Sequence, residues 1–204
     1  MTVTKLESVT KTKYKVFLDG EFAFVLYKGE LSRYGIREGI QVEDELREKV
    51  MNEVILKRAK LRAMHLLEDM DRTESGLRDK LKQGLYPEEA VEGAIQYVKS
   101  FGYIDDLQYA RRFIESRKHM KSRREIYAQL CSKGVSSDKI ELAFEDCYEM
   151  GGEKEAILQV IRKKKVDPTQ ATEEEMRRLY GYLARKGFRY DDIRQVIQNY
   201  NENA

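Results

Sequence analysis

The apolar positions of the chain change period near residue 50. Residues 13–18 (KYKVFL) and 21–27 (EFAFVLY) are rich in β-branched and aromatic side chains and partly alternate, and Asp19-Gly20 separates them. That dipeptide between two such runs predicts a hairpin closed by a type I′ turn, because both central residues must take positive φ. Residues 3–9 read as an earlier strand able to pair with it. Gly29, Gly35 and Gly39 then punctuate a short helix or loop around residues 31–34. A two-stranded sheet is marginal by itself, so the hairpin is expected to pack on whatever follows.

From about Val42 the period becomes helical. Leu56, Ala59, Ala63, Leu66, Leu67 and Met70 fall on one helix face. Beyond them one pattern occurs in three copies. The first copy is Leu77, Leu81, Leu85, Tyr86, Val91 and Ile95. The second is Ile126, Leu130, Gly134, Val135, Ile140 and Phe144, and the third is Leu179, Leu183, Gly187, Phe188, Ile193 and Ile197, shifted by 49 and then 53 residues. Each reads as helix, turn, helix. A further helix precedes each, with Ala63, Leu66 and Leu67 matching Ala110, Phe113 and Ile114 and, more loosely, Ala156, Val160 and Ile161. Helix starts agree: Asp105 with Gln108, Ser122 with Glu125 and Thr172 with Glu175 have capping-box spacing. Asp167-Pro168 fits a cap followed by proline at the first helical position. At Thr73 the box is broken by Gly76.

The expected fold is therefore mainly α, with three tandem three-helix repeats forming an elongated curved body behind a small N-terminal β-hairpin region. The expected boundaries are 1–50 for the hairpin and short helix, then 51–104, 105–150 and 151–204 for the repeats. One unit of about 48 residues has a small core, and stacking adds buried interface between neighbours.

Composition narrows the classes. The 204 residues are 41% hydrophobic, enough for a core. The longest apolar run, residues 22–27, is far below the ~20 residues of a spanning helix. Cys131 and Cys147 stand without a CxxC, which suits a reducing cytosol, and the only histidines are His65 and His119. Phosphate-loop, nucleophile-elbow and zinc-protease motifs are absent from the sequence. The expectation is a cytoplasmic, monomeric binding protein with no catalytic residue, cofactor, metal or membrane span.

Charge matters through its distribution. Lys and Arg number 38 against 36 Asp and Glu, a net +2. Within residues 111–133, however, Arg111, Arg112, Arg117, Lys118, Lys121, Arg123, Arg124 and Lys133 face only Glu115 and Glu125, a local +6. Arg162, Lys163, Lys164 and Lys165, with Arg177, Arg178, Arg185, Lys186 and Arg189, form a second basic group. Such clusters can meet phosphates or an acidic protein face. The plainer alternative is a solvated helix face. Tyr103, Tyr109, Phe113 and Tyr127 lie at helical spacing and are expected in core or interhelix packing, and Asp105 and Asp106 as caps.

The residues that carry a family resemblance are Leu66-Leu67, Arg72-Thr73-Glu74, Leu77 and Leu81, the run from Tyr103 through Asp105, Asp106, Tyr109 and Ala110 to Arg111, and Arg123-Arg124 with Ile126, Leu130 and Lys133-Gly134-Val135. Together they resemble the RecX family, regulators of the bacterial RecA recombinase, over nearly the whole chain. The resemblance implies a non-enzymatic protein that binds RecA and its nucleoprotein filament on single-stranded DNA, directly or through the filament, and modulates recombination, repair and the SOS response. It implies mostly inhibition, of ATP hydrolysis, filament growth and strand exchange. Tyr103, Asp105, Asp106, Tyr109, Ala110 and Gly134 are its signature and mainly structural. The contact candidates are the eight cations of 111–133 and Arg162 to Lys165. A stand-alone helical DNA-binding regulator and a helical scaffold for another protein are the rival readings.

Overall fold

The computed structural model describes residues 1–148 and 153–202. It divides into two compact units, Met1–Asp105 and Asp106–Ala204.

In the first unit, strands β1 (Val3–Thr10), β2 (Lys13–Leu18) and β3 (Glu21–Tyr27) form one antiparallel sheet in that order. Asp19 (φ 49°) and Gly20 (φ 90°) both lie at positive φ and Leu18 pairs with Glu21, as a type I′ turn requires. Val16, Leu18, Phe24 and Leu26 point into the core. Helix α1 (Lys28–Arg33) follows β3. The next segment returns along β1, where Val3 N–H donates to the Ile40 carbonyl and Gly39 N–H to that of Val3, each at 2.9 Å. The start of an otherwise open sheet edge is thereby covered.

The first helix of the first repeat is longer than its periodicity suggested. Helix α2 (Asp44–Val50) runs through a π-helical stretch, Met51–Leu56, into α3 (Lys57–Asp69), with helical backbone at both joins. Met51, Ile55, Ala59 and Ala63, all buried, recur every fourth residue. In an α-helix each such step drifts about 40°; wider π turns counter the drift and hold these side chains toward one core. Met70 departs from the expected stripe. It is extended (φ −166°) and 57% exposed, because α3 has ended at Asp69. Helices α4 (Glu74–Gln83) and α5 (Glu88–Ser100) complete the repeat, and sheet and helices share one hydrophobic core.

The second unit holds α6 (Asp106–Glu115), α7 (Arg123–Ser132) and α8 (Ser137–Cys147), then α9 (Lys154–Lys164), α10 (Glu173–Arg185) and α11 (Tyr190–Glu202). Each trio closes its own core, one around Ile114, Ile126, Leu130 and Phe144, the other around Ile157, Leu179, Leu183 and Ile193. The turn position of the repeated pattern adopts positive φ in all three copies: Leu85 at 61°, Gly134 at 78° and Gly187 at 93°. Thr172 and Glu175 form the full capping box, whereas Ser122 supplies only its own half. Asp167-Pro168 does not open a helix. The Asp167 carboxylate accepts from Thr169 N–H at 3.0 Å, a side-chain turn that competes with helix, and α10 starts only at Glu173.

The second and third repeats meet at the N-terminus of α7. Ser122 is fully buried; its hydroxyl accepts from Glu125 N–H at 3.1 Å and donates to the Lys186 carbonyl at 2.6 Å. The Glu153 carboxylate accepts from Arg123 N–H. Gly187 lies directly beneath, and a Cβ there would sit 2.9 Å from Ser122 Oγ and 3.0 Å from Arg124 Cβ. Gly20 has similar φ but open space around it. Gly187→Ala therefore combines a backbone penalty of about 1–2 kcal/mol with a steric clash, while Gly20→Ala carries the backbone penalty alone. Denaturant unfolding should show the larger loss for Gly187→Ala; equal losses would mean that the repeats do not press together there.

Candidate polyanion contact surface

The cation-rich stretch is the corner formed by the end of α6, the connector 116–122 and the start of α7. Folding brings carboxylates to it from α8. Arg111 donates through Nε to Asp146 at 2.8 Å, and Arg123 holds Glu141 at 2.7 Å with its guanidinium 4.6 Å from the Phe144 ring centroid. Lys118 bonds Glu115 at 2.9 Å and the Cys147 carbonyl at 3.2 Å, and Lys121 bonds Glu125 at 2.7 Å. The Lys118 ammonium is the main reason the Glu115 carboxyl sits below its ordinary range. Arg111, Lys118, Lys121 and Arg123 are thus engaged inside the repeat.

The others are placed differently. Arg117 lies 3.7 Å over the Phe113 ring, with Lys133 at 5.7 Å from the same ring. Arg117 and Arg124 make no carboxylate pair among the described residues, and Arg112 and Arg124 are exposed. Arg124 runs its stem over Gly187.

In the third repeat, Arg162, Lys163 and Lys164 occupy the last turn of α9 and Lys165 its left-handed C-cap, where positive charge suits the helix dipole. Arg162 reaches Glu155 at 3.3 Å, and the Lys164 ammonium lies 4.0 Å from the Tyr182 ring centroid.

The signature residues separate. Ala110 is fully buried, and Asp106, buried, is met by Lys139 at 3.7 Å. Tyr109 stacks on Phe113 at 6.1 Å beside the core. Tyr127 also packs there. Tyr103 departs from the expected packing. It is 55% exposed and stacks at 5.6 Å on Phe101, itself exposed, because α5 ends at Ser100 and the chain turns through Gly102 (φ 68°) before α6. Two exposed aromatics at a helix end leave no periodic signal.

Arg123 and Arg124 stand at the positive end of the α7 dipole, an unfavourable place for cations. Glu153 supplies the compensating anion. Burial, more than nearby Asp192, raises its carboxyl above the usual range, against the opposing pull of Arg123 and Arg189. Tyr148, also close to Glu153, is pushed up to about 12, mainly by burial.

Models of the first, second and third three-helix domains of RecX match residues 59–97, 105–143 and 152–197. A "Regulatory protein RecX" from Caldanaerobacter subterraneus subsp. tengcongensis is 34% identical, with 97% of this chain and 98% of that one covered. The chain belongs to the RecX family. A RecX from Clostridium botulinum (strain Alaska E43) is 32% identical, over 96% of this chain and 94% of its own. A crystal structure of a regulatory protein RecX shares the fold at a TM-score of 0.64 and 23% identity, covering 96% of this chain and 98% of that one. RecX from Lactobacillus salivarius does so at 0.64 and 21%, covering 72% and 96%. The mainly helical repeat architecture expected from the pattern is thus the RecX architecture, with a three-stranded sheet at its N-terminal side. Among the described residues no helix is long and apolar enough to cross a membrane, and no cluster of three potential metal ligands occurs.

The raised Glu153 carboxyl has a definite sign. The folded state holds that proton more tightly than the unfolded chain, so this group favours folding most below its unfolded pKa. The contribution is lost as pH rises through the raised folded value. Glu153→Gln keeps an acceptor for Arg123 N–H without the buried charge. Its stability relative to the parent should rise from pH 4 to pH 8, because only the parent loses the contribution of the raised carboxyl over that range. Thermal melts across that range check this; a pH-independent difference would remove the buried charge from the account.

Proposed function

We infer that this RecX protein is a non-enzymatic regulator that binds RecA and its nucleoprotein filament on single-stranded DNA. It restrains ATP hydrolysis, filament growth and strand exchange, and so acts in recombination, repair and the SOS response in the cytoplasm. Family membership over nearly the whole chain carries the reading. The tandem repeats support it, since several weak contacts on linked units act together on a polymeric partner. The corner between α6 and α7 supports it too, because Arg117, resting on the Phe113 ring, and the exposed Arg124 have no carboxylate partners among the described residues.

The contact face on this reading centres on Arg112, Arg117, Arg124 and Lys133, with Arg162 to Lys165 contributing from the third repeat. Arg111, Lys118, Lys121 and Arg123 hold the corner together through the carboxylates they engage. The chain acts as a monomer and requires no cofactor.

The test is RecA ATPase on single-stranded DNA with the protein titrated from far below equimolar. Inhibition is expected, complete far below equimolar if filament ends are capped and near equimolar if the filament is covered along its length. Arg117→Glu with Arg124→Glu should raise the half-inhibitory concentration about tenfold, because unpaired interface charges govern encounter and salt dependence. Circular dichroism should stay unchanged. Unaltered inhibition by that variant would move the contact face elsewhere, and no inhibition by the parent protein would end the reading.

A further inference from the structure

The third repeat carries a concave site absent from the pattern shared by the copies. One face of α10, with Lys164 at the end of α9 and Val166 just beyond it, encloses about 350 Å³. Arg178, Tyr182 and Arg185 line it at steps of four and three residues, with Leu179 and Val166 as its apolar lining and Glu175 at one end.

The charges here are less engaged than at the α6–α7 corner. Lys164 and Arg185 make no carboxylate pair among the described residues; the Lys164 ammonium rests over the Tyr182 ring instead. The Arg185 guanidinium lies back along the helix, 3.4 Å from where a Gly181 Cβ would stand, so the missing side chain leaves it room. Arg178 gives one nitrogen to Glu174 at 2.5 Å. Glu175, the acid of the site, is taken by the cap of its own helix and accepts from both N–H and hydroxyl of Thr172 at 2.9 Å.

The repeat fold does not demand this face. By the shift between copies, Arg178, Tyr182 and Arg185 correspond to Glu125, Gln129 and Ser132 in the second repeat and to Gly76, Lys80 and Gln83 in the first. Only the third copy combines cations at both ends with an aromatic ring between them. Arg178 and Arg185 stand about 10.5 Å apart along the helix, and Lys164 projects beside the residue between them. A line of cations tracking a helix, with one ring in it, matches a phosphodiester strand whose bases are unstacked. A duplex keeps its bases stacked and cannot offer one to Tyr182.

We propose that the groove formed by Lys164, Arg178, Tyr182 and Arg185 is a binding site for single-stranded nucleic acid, holding successive phosphates while a base stacks on Tyr182. Arrival of a phosphate draws the Lys164 ammonium off the ring and frees its face. The site gives the regulator a direct hold on the strand and in that sense rests on the functional reading above, but its test needs no RecA, so the two fail separately.

The experiment is fluorescence anisotropy of the full chain with a labelled oligothymidylate over a series of salt concentrations. Lys164→Gln/Arg178→Gln/Arg185→Gln should lower the slope of log affinity against log salt by about 2, from roughly 0.7 per phosphate contact, and weaken binding about tenfold or more at low salt. Lys11→Gln/Lys57→Gln/Arg62→Gln removes equal charge from the first unit and should leave the slope near the parent value. Tyr182→Ala should weaken oligothymidylate binding about fivefold or more while leaving inorganic polyphosphate binding unchanged. Circular dichroism confirms that each variant is folded. The site is overturned if the parent does not bind the oligonucleotide, if both triple variants change the slope equally, or if Tyr182→Ala affects both ligands alike.

Discussion

The second unit depends on how the N-terminus of α7 is satisfied. The first amides of any helix lack internal partners and carry partial positive charge. Here two arginines follow the cap, and the cap itself is fully buried. Such an end is tolerable only with hydrogen-bond acceptors in the right places. Ser122 provides a hydroxyl and hands its own proton to the Lys186 carbonyl, while Glu153, at the entrance to α9, provides an anion. Both solutions reach into the third repeat, so capping one helix and docking two repeats are the same event. The arrangement also forces residue 187 to be glycine. The corresponding turn in the first repeat is Leu85, which takes positive φ despite its side chain, at a cost of about 1–2 kcal/mol; no such concession is open where the turn is pressed against Ser122.

That joint bears on function as well. An exposed helix N-terminus flanked by arginines would be a ready place for a DNA phosphate. In α7 the anion comes from within the protein. The helix that a sequence-reading DNA-binding protein would insert therefore has its leading end occupied, which weakens the rival reading as a stand-alone helix-turn-helix regulator. On the proposed reading, polyanion contact falls to side chains around the corner and to the groove on α10.

The repeats were legible in the sequence because each apolar position of the pattern has the same job in every copy. Ile126, Leu130, Ile140 and Phe144 and their counterparts are buried wherever they recur. The hairpin was legible because Asp19-Gly20 admits few alternatives. The π stretch was not, since its signal is a run of four-residue spacings that an ordinary amphipathic helix also contains. The cation cluster was visible, but its net +6 was not a guide to available charge. Asp146 and Glu141 lie far along the chain from Arg111 and Arg123, and only the packing of α8 brings them alongside. Sequence proximity counts charges; tertiary structure decides which of them still face outward.

The same distinction separates the two basic groups. In the second repeat, the helix that follows the cations carries the acids and folds directly back over them. In the third, the counterpart of Glu125 is Arg178, and Glu175 is claimed by the extra turn through which α10 extends its start to Thr172. Lengthening one helix by a turn thus moves its capping acid away from the middle of the exposed face and leaves room for cations around Tyr182. Copies that share a core can diverge in this way without disturbing it, because Leu179 and Leu183 keep facing inward while the residues between them change. A repeat protein built on this principle can give each copy a different surface, and the pattern that reveals the fold will be silent about which copy touches what.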